Sequence, residues 1–196
     1  MNMKGEDEKS QKIQMIAFTT NEKSYNPNDI ISNYLDNNDH FLIKKNQQMI
    51  AFSTVLPEQK KTTKIMMITL LDLEIEYEGI YDVNCYIIVI DLQKDTSKDK
   101  YTEILEYMRN FCDSSKKIFL LGVKKDEEEK PIKITKEEIE EIINNLNLEY
   151  EYFELNMDNS IQVSDKIINI FNYGFNSSIY SKDGKNDNEG ISCLIY

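Results

Sequence analysis

Three aspartates, Asp91, Asp95 and Asp126, stand at or just beyond the ends of two apolar runs. Carboxylates gathered at strand ends can hold a divalent cation. They more often cap helices and turn loops, and that is the reading preferred for these three. A phosphoacceptor acid pocket needs paired acids after the first strand, and Ala17-Phe18-Thr19-Thr20-Asn21-Glu22-Lys23 has no such pair. The single histidine, His40, lies in a polar stretch, so no histidine-based triad or zinc site is available. Cys85, Cys112 and Cys193 lack metal-ligand spacing and do not make a disulfide framework, which points to a reducing compartment.

The elements that would position these acids are legible from hydrophobic pattern. Cys85-Tyr86-Ile87-Ile88-Val89-Ile90 is an unbroken apolar run ending at Asp91. Such a run fits a strand covered on both faces. Tyr101, Ile104, Leu105, Met108 and Phe111 recur at helical spacing, and Lys117 to Leu121 is a second buried run that stops at Gly122. Strand, amphipathic helix and strand make a right-handed βαβ unit. Ligands of open α/β sheets bind beyond the carboxyl ends of the strands, where Asp91 and Gly122-Val123-Lys124-Lys125-Asp126 fall.

Before this unit, residues 13–18 read as a strand, and Pro27 and Asp29 suit the start of a helix carrying Ile30, Ile31, Tyr34 and Leu35. Residues 36–40 read as a loop. Met49–Leu56 and Lys64–Leu71 read as strands paired across a short polar turn at 57–63. After it, Thr135 and Glu138 form a capping box for a helix with Ile139, Ile142, Ile143 and Leu146 on one face. Residues 150–153 make a last strand, and Asn159 or Ser160 opens a last helix. The expected fold class is α/β: a three-layer domain with a six-stranded, mostly parallel sheet, one antiparallel hairpin, and helices on both faces. The expected organisation is a disordered segment at 1–11, one domain at 12–175 and a polar tail with an apolar tip at 176–196.

With these residues in place, the chain resembles a divergent Ras/Rab-type small GTPase. Tyr86 to Leu92 resembles the strand that ends in aspartate, and Gly122, Lys124 and Asp126 match the guanine-recognition stretch Gly-Asn-Lys-x-Asp. Val123 stands where that stretch has asparagine, so a contact that helps fix the loop is expected to be missing. Glu154 to Asp158 takes the place of Glu-Thr-Ser-Ala-Lys, with Glu154 alone kept. The resemblance implies a phosphate-loop fold, a base held by Asp126 and Lys124, phosphates by Lys23 and Ser24, and magnesium near Asp72. The phosphate half departs from the pattern. A phosphate loop needs glycines so that backbone amides can wrap the anion. Aligned on Lys23-Ser24, its glycines become Ala17 and Glu22, and no glycine occurs between Gly5 and Gly79. Set instead by the first helix, the register puts Asn28-Asp29 in the Lys-Ser positions. After Asp72, Leu73-Glu74-Ile75-Glu76 lacks the Gly-Gln that senses the γ-phosphate and orients water.

The expected function is therefore a non-catalytic protein-binding adaptor or scaffold, with protein partners, no cofactor, and no enzymatic activity. The trafficking and ciliary assemblies in which divergent Rab-like proteins occur are the setting the resemblance implies. The switch face together with the 57–63 turn is the expected docking surface. The alternative is a membrane-tethered switch that binds GTP or GDP with Mg2+ through Lys23, Ser24, Asp72, Lys124 and Asp126. It would be lipidated at Cys193, because Cys193-Leu194-Ile195-Tyr196 has the Cys-aliphatic-aliphatic-X form. A formal charge of −12 argues against nucleic acid and against adsorption to anionic lipid. The first residues lack the apolar stretch of a signal peptide, and no apolar run approaches the roughly 20 residues of a membrane span. A cytoplasmic location is expected.

Overall fold

An apolar strand with no polar face is stable only where both faces are covered, and the sheet is built around such strands. The computed structural model describes residues 11–19, 25–46, 49–70, 83–94, 98–111, 113, 115–126, 131–146 and 148–180. In chain order these form β1 (Gln11–Thr19), α1 (Pro27–Asn37), β2 (His40–Lys45), β3 (Met49–Val55), β4 (Thr62–Leu70) and β5 (Cys85–Asp91). Then come α2 (Lys98–Phe111), β6 (Ile118–Lys124), α3 (Lys136–Leu146), β7 (Tyr150–Asn156) and α4 (Ser160–Tyr180). The sheet order is β2-β3-β4-β1-β5-β6-β7. β4, β1, β5, β6 and β7 run parallel, while β2–β3 and β3–β4 are antiparallel.

The strands feed two cores. Cys85, Ile87 and Val89 join Ile30, Ile31 and Tyr34 of α1 and Val163, Ile167 and Phe171 of α4 on one face. Tyr86, Ile88 and Ile90 join Tyr101, Ile104 and Met108 of α2 and Ile139 and Ile143 of α3 on the other. The three-layer α/β arrangement is as expected. The strand count is not: there are seven strands rather than six, and two antiparallel pairs rather than one. The additional strand, β2, pairs only with β3 and leaves Phe41, Leu42 and Ile43 exposed. With no covered face it has no alternation of buried and exposed residues for a pattern to reveal. The 57–63 turn lies beside the start of β1, where Gln11 pairs with Thr63. It is at the opposite edge of the sheet from Asp91 and Lys124.

Helix ends follow their capping chemistry. Glu138 N–H donates to Thr135 Oγ1 at 3.3 Å and Thr135 N–H to Glu138 Oε2 at 3.0 Å, the expected reciprocal box. Asn159 caps α4, its Oδ1 accepting from Gln162 N–H. α4 runs on to Tyr180, beyond the expected limit at Phe175. Ser177, which reads as tail, is tied there by Asn84 Nδ2 at 3.4 Å. Gly174 lets α4 close on β1: a Cβ at that position would lie 2.7 Å from Ile13 Cγ2.

Gly122 makes room in the same way, on the other face. A Cβ there would collide with the hydroxyl of Tyr152, which is buried without a hydrogen-bond partner among the described residues. Gly122→Ala is expected to lower unfolding free energy by about 1–3 kcal/mol through overpacking. In a Tyr152→Phe background the same change should cost less than half as much, measured by urea denaturation. An equal cost in both backgrounds would show that the hydroxyl does not set the need for glycine.

Candidate functional site

Because β1, β5, β6 and β7 are parallel, their carboxyl ends share one edge. That edge carries Thr19, Asp91, Lys124 and Asn156. The loop after β6 is held there from both sides, by residues beyond β5 and at the end of β7. Gln93, two residues past β5, donates its Nε2 to Lys125 O at 2.9 Å and accepts from Lys125 N–H at Oε1, 2.8 Å away. Leu92 N–H donates to Val123 O. From beyond β7, Met157 N–H donates to Lys124 O at 2.9 Å. Asp126 N–H donates to Asp158 Oδ2 at 2.7 Å, and Asp158 N–H to Asn156 Oδ1 at 3.0 Å. The Asp126 carboxylate accepts from Asn156 Nδ2.

The loop expected to be loose without an asparagine at 123 is therefore anchored by another route. Val123 is fully buried in the α1–α4 core and acts as an apolar strand residue. Lys124 and Asp126 are brought together as expected, but both have intramolecular partners. Lys124 Nζ lies 2.7 Å from Glu154 Oε1, and this bond is the largest cause raising its pKa above the ordinary lysine value. Lys125 Nζ lies 6.0 Å from the ring centroid of Tyr25. The Tyr25 hydroxyl is pushed up to about 12, first by burial and then by the charges of Asp91 and Asp158. These charges register a negative field across the mouth of the edge.

At the other end of the site stands the start of α1. Asn26 caps it, its Oδ1 accepting from Asn28 N–H at 2.8 Å. Pro27 has no N–H to offer. Asp29 N–H and Ile30 N–H both turn back to Asn26 O, at 2.9 and 3.4 Å. Asp29 adds a carboxylate in the first turn. A helix start binds anions through unsatisfied amides and a positive dipole end. Here the leading amides are taken and an acid is present. Asn28 is buried and donates through Nδ2 to Asn46 O at 3.1 Å, tying α1 to the end of β2. α1 begins at Pro27, which places Asn28 and Asp29 in its first turn. Ala17, aligned with the first glycine of a phosphate loop, is a buried residue of β1.

Lys23, Ser24, Asp72, Cys193, Glu22 and Asp95 lie outside the described residues. Asp91 Oδ1 accepts from Gln93 N–H at 3.1 Å, a turn-forming use of the acid. Among the described residues no group of three or more acids, histidines and cysteines is placed to hold a metal ion. A cavity of about 570 Å³ is lined by Asp36, Asn37, Asn38, Asp39, Thr54 and Val55, at the opposite edge of the sheet. No described helix is long and apolar enough to cross a membrane.

The sequence model of the Ras family matches residues 74–173, just over half of the 196-residue chain. The chain belongs to the Ras family. The match begins beyond Lys23, Ser24 and Asp72 and takes in Lys124, Asp126 and the loop that holds them. No curated protein sequence matches the chain. Ras-family proteins normally bind GTP or GDP with Mg2+. The described residues of this chain fit that ligand at one end only. Asp126, oriented by Asn156, offers acceptor oxygens to a base, whereas the α1 start offers a phosphate neither free leading amides nor a cation.

Gln93 has no counterpart in the sequence pattern, because an amide that pairs with backbone leaves no periodic signal. Gln93→Ala should speed hydrogen exchange of the Lys125 amide by at least about tenfold, with a stability loss of about 1 kcal/mol. Unchanged exchange at Lys125 would mean that the loop is anchored from the β7 side alone.

Proposed function

We propose that this Ras-family chain is a non-catalytic protein that works through its surface, as an adaptor or scaffold subunit with protein partners. The supporting observation is the start of α1. Asn26, Pro27 and Asp29 satisfy or remove the leading amides and place a carboxylate where a transferred phosphoryl group would need positive charge. Among the described residues, the start of α1 therefore supplies no preorganised cradle for a triphosphate. An intracellular trafficking or ciliary assembly is the proposed setting, in keeping with the resemblance to divergent Rab-like proteins. The site of docking is the switch-side edge, where Gln93, Asn156 and Asp158 hold the loop after β6.

The bound-nucleotide reading draws on the other end, where Asp126 is oriented for a base. The two readings differ in what the purified protein carries. Denaturing the protein and chromatographing the supernatant should release less than about a tenth of an equivalent of guanine nucleotide, since a nanomolar ligand would survive purification and a weak one would not. Near-stoichiometric GDP or GTP would overturn the non-catalytic proposal.

A further inference from the structure

The edge of the sheet opposite β7 is a strand with its outer side open. β2 pairs with β3 on one side, and among the described residues nothing pairs with it on the other. It carries Phe41, Leu42 and Ile43, which are 72%, 45% and 52% exposed, and Val55, at the end of β3, is 55% exposed. An open, apolar strand edge is a template for another strand. The charges around it are arranged by sign. Asp36 and Asp39 precede the strand, and Lys44 and Lys45 end it. Both acids are exposed, as is Lys45.

This order selects the partner. Laid antiparallel against an identical strand, the basic end of each copy meets the acidic end of the other. Laid parallel, acid meets acid and base meets base. We propose that β2 pairs antiparallel with β2 of a second copy of this chain, joining two seven-stranded sheets across a twofold axis. With the axis between Leu42 and Ile43, Lys45 falls opposite His40 and beside Asp39 of the other copy, and the apolar residues of both strands meet in the middle. The register shift between Leu42 and Lys44 twists the edge and shortens the paired stretch. The contact is smaller than the about 1,200–2,000 Å² of a stable interface, so the dimer is weak and concentration-dependent. This inference does not depend on whether nucleotide is bound.

Sedimentation equilibrium of the full chain from about 10 µM to about 1 mM should show the average mass rising from one chain toward two, as expected for an association near about 100 µM. Lys44→Glu with Lys45→Glu should weaken association at least about tenfold, and Asp36→Lys with Asp39→Lys should do the same. An equimolar mixture of the two double variants should associate again, because each then presents one sign at both ends. Circular dichroism melts of both variants check that each is folded. A wild type that stays monomeric throughout would overturn the proposal and leave the edge to a strand of a different protein, or to its lysines and bulge as guards. A dimer indifferent to both charge reversals, or folded variants whose mixture stays monomeric, would overturn it as well.

Discussion

Burial of β5 on both faces is the constraint from which the rest of the structure follows. Its residues alternate strictly between the α1–α4 core and the α2–α3 core, and six of them are buried. A polar side chain at any of these positions would be cut off from water without a partner, at a cost of several kcal/mol in a domain whose total stability is only about 5–15 kcal/mol. The burial also makes Cys85 inert, with its thiol pushed up to about 12. Covering both faces requires helices on both sides. Crossover helices in turn require parallel neighbours, so the ends of β1, β5, β6 and β7 converge on one edge. Asp91, Lys124 and Asn156 meet there as a consequence of packing.

What these ends do at that edge is set by hydrogen bonds within the protein. Gln93, Asn156 and Asp158 hold the loop after β6, and Asn26 closes the start of α1. Among the described residues, Lys124 and Asp126 each have a partner in the fold. Lys124 leans on Glu154. Among the described residues, these bonds tie the ends of β5, β6 and β7 to one another.

The sheet core and the helices were legible in the sequence because burial leaves a pattern. Unbroken apolar runs marked β5 and β6, helical spacing marked α2 and α3, and Thr135 with Glu138 marked a helix start. β2 was missed because Phe41-Leu42-Ile43 is exposed on an edge, and exposure erases periodicity. The end of α4 was missed because Ser177 looks like tail and gains its place from a partner 93 residues away in sequence, Asn84. At the site, Lys124 and Asp126 were found through a motif, while the groups that hold or seal it were not. Asn26 and Gln93 act on backbone atoms brought close by the fold, and composition carries no trace of such contacts. Gly122, read as part of a recognition motif, also makes room for the ring of Tyr152.

We propose that the start of α1, whose leading amides are satisfied from within, does not receive phosphate. Amide resonances of Asn28, Asp29 and Ile30, followed while GDP or GTP with Mg2+ is added to millimolar concentration, test it at the atoms concerned. The account predicts that these three resonances stay where they are. Saturable shifts at all three, in step with nucleotide concentration, would contradict it.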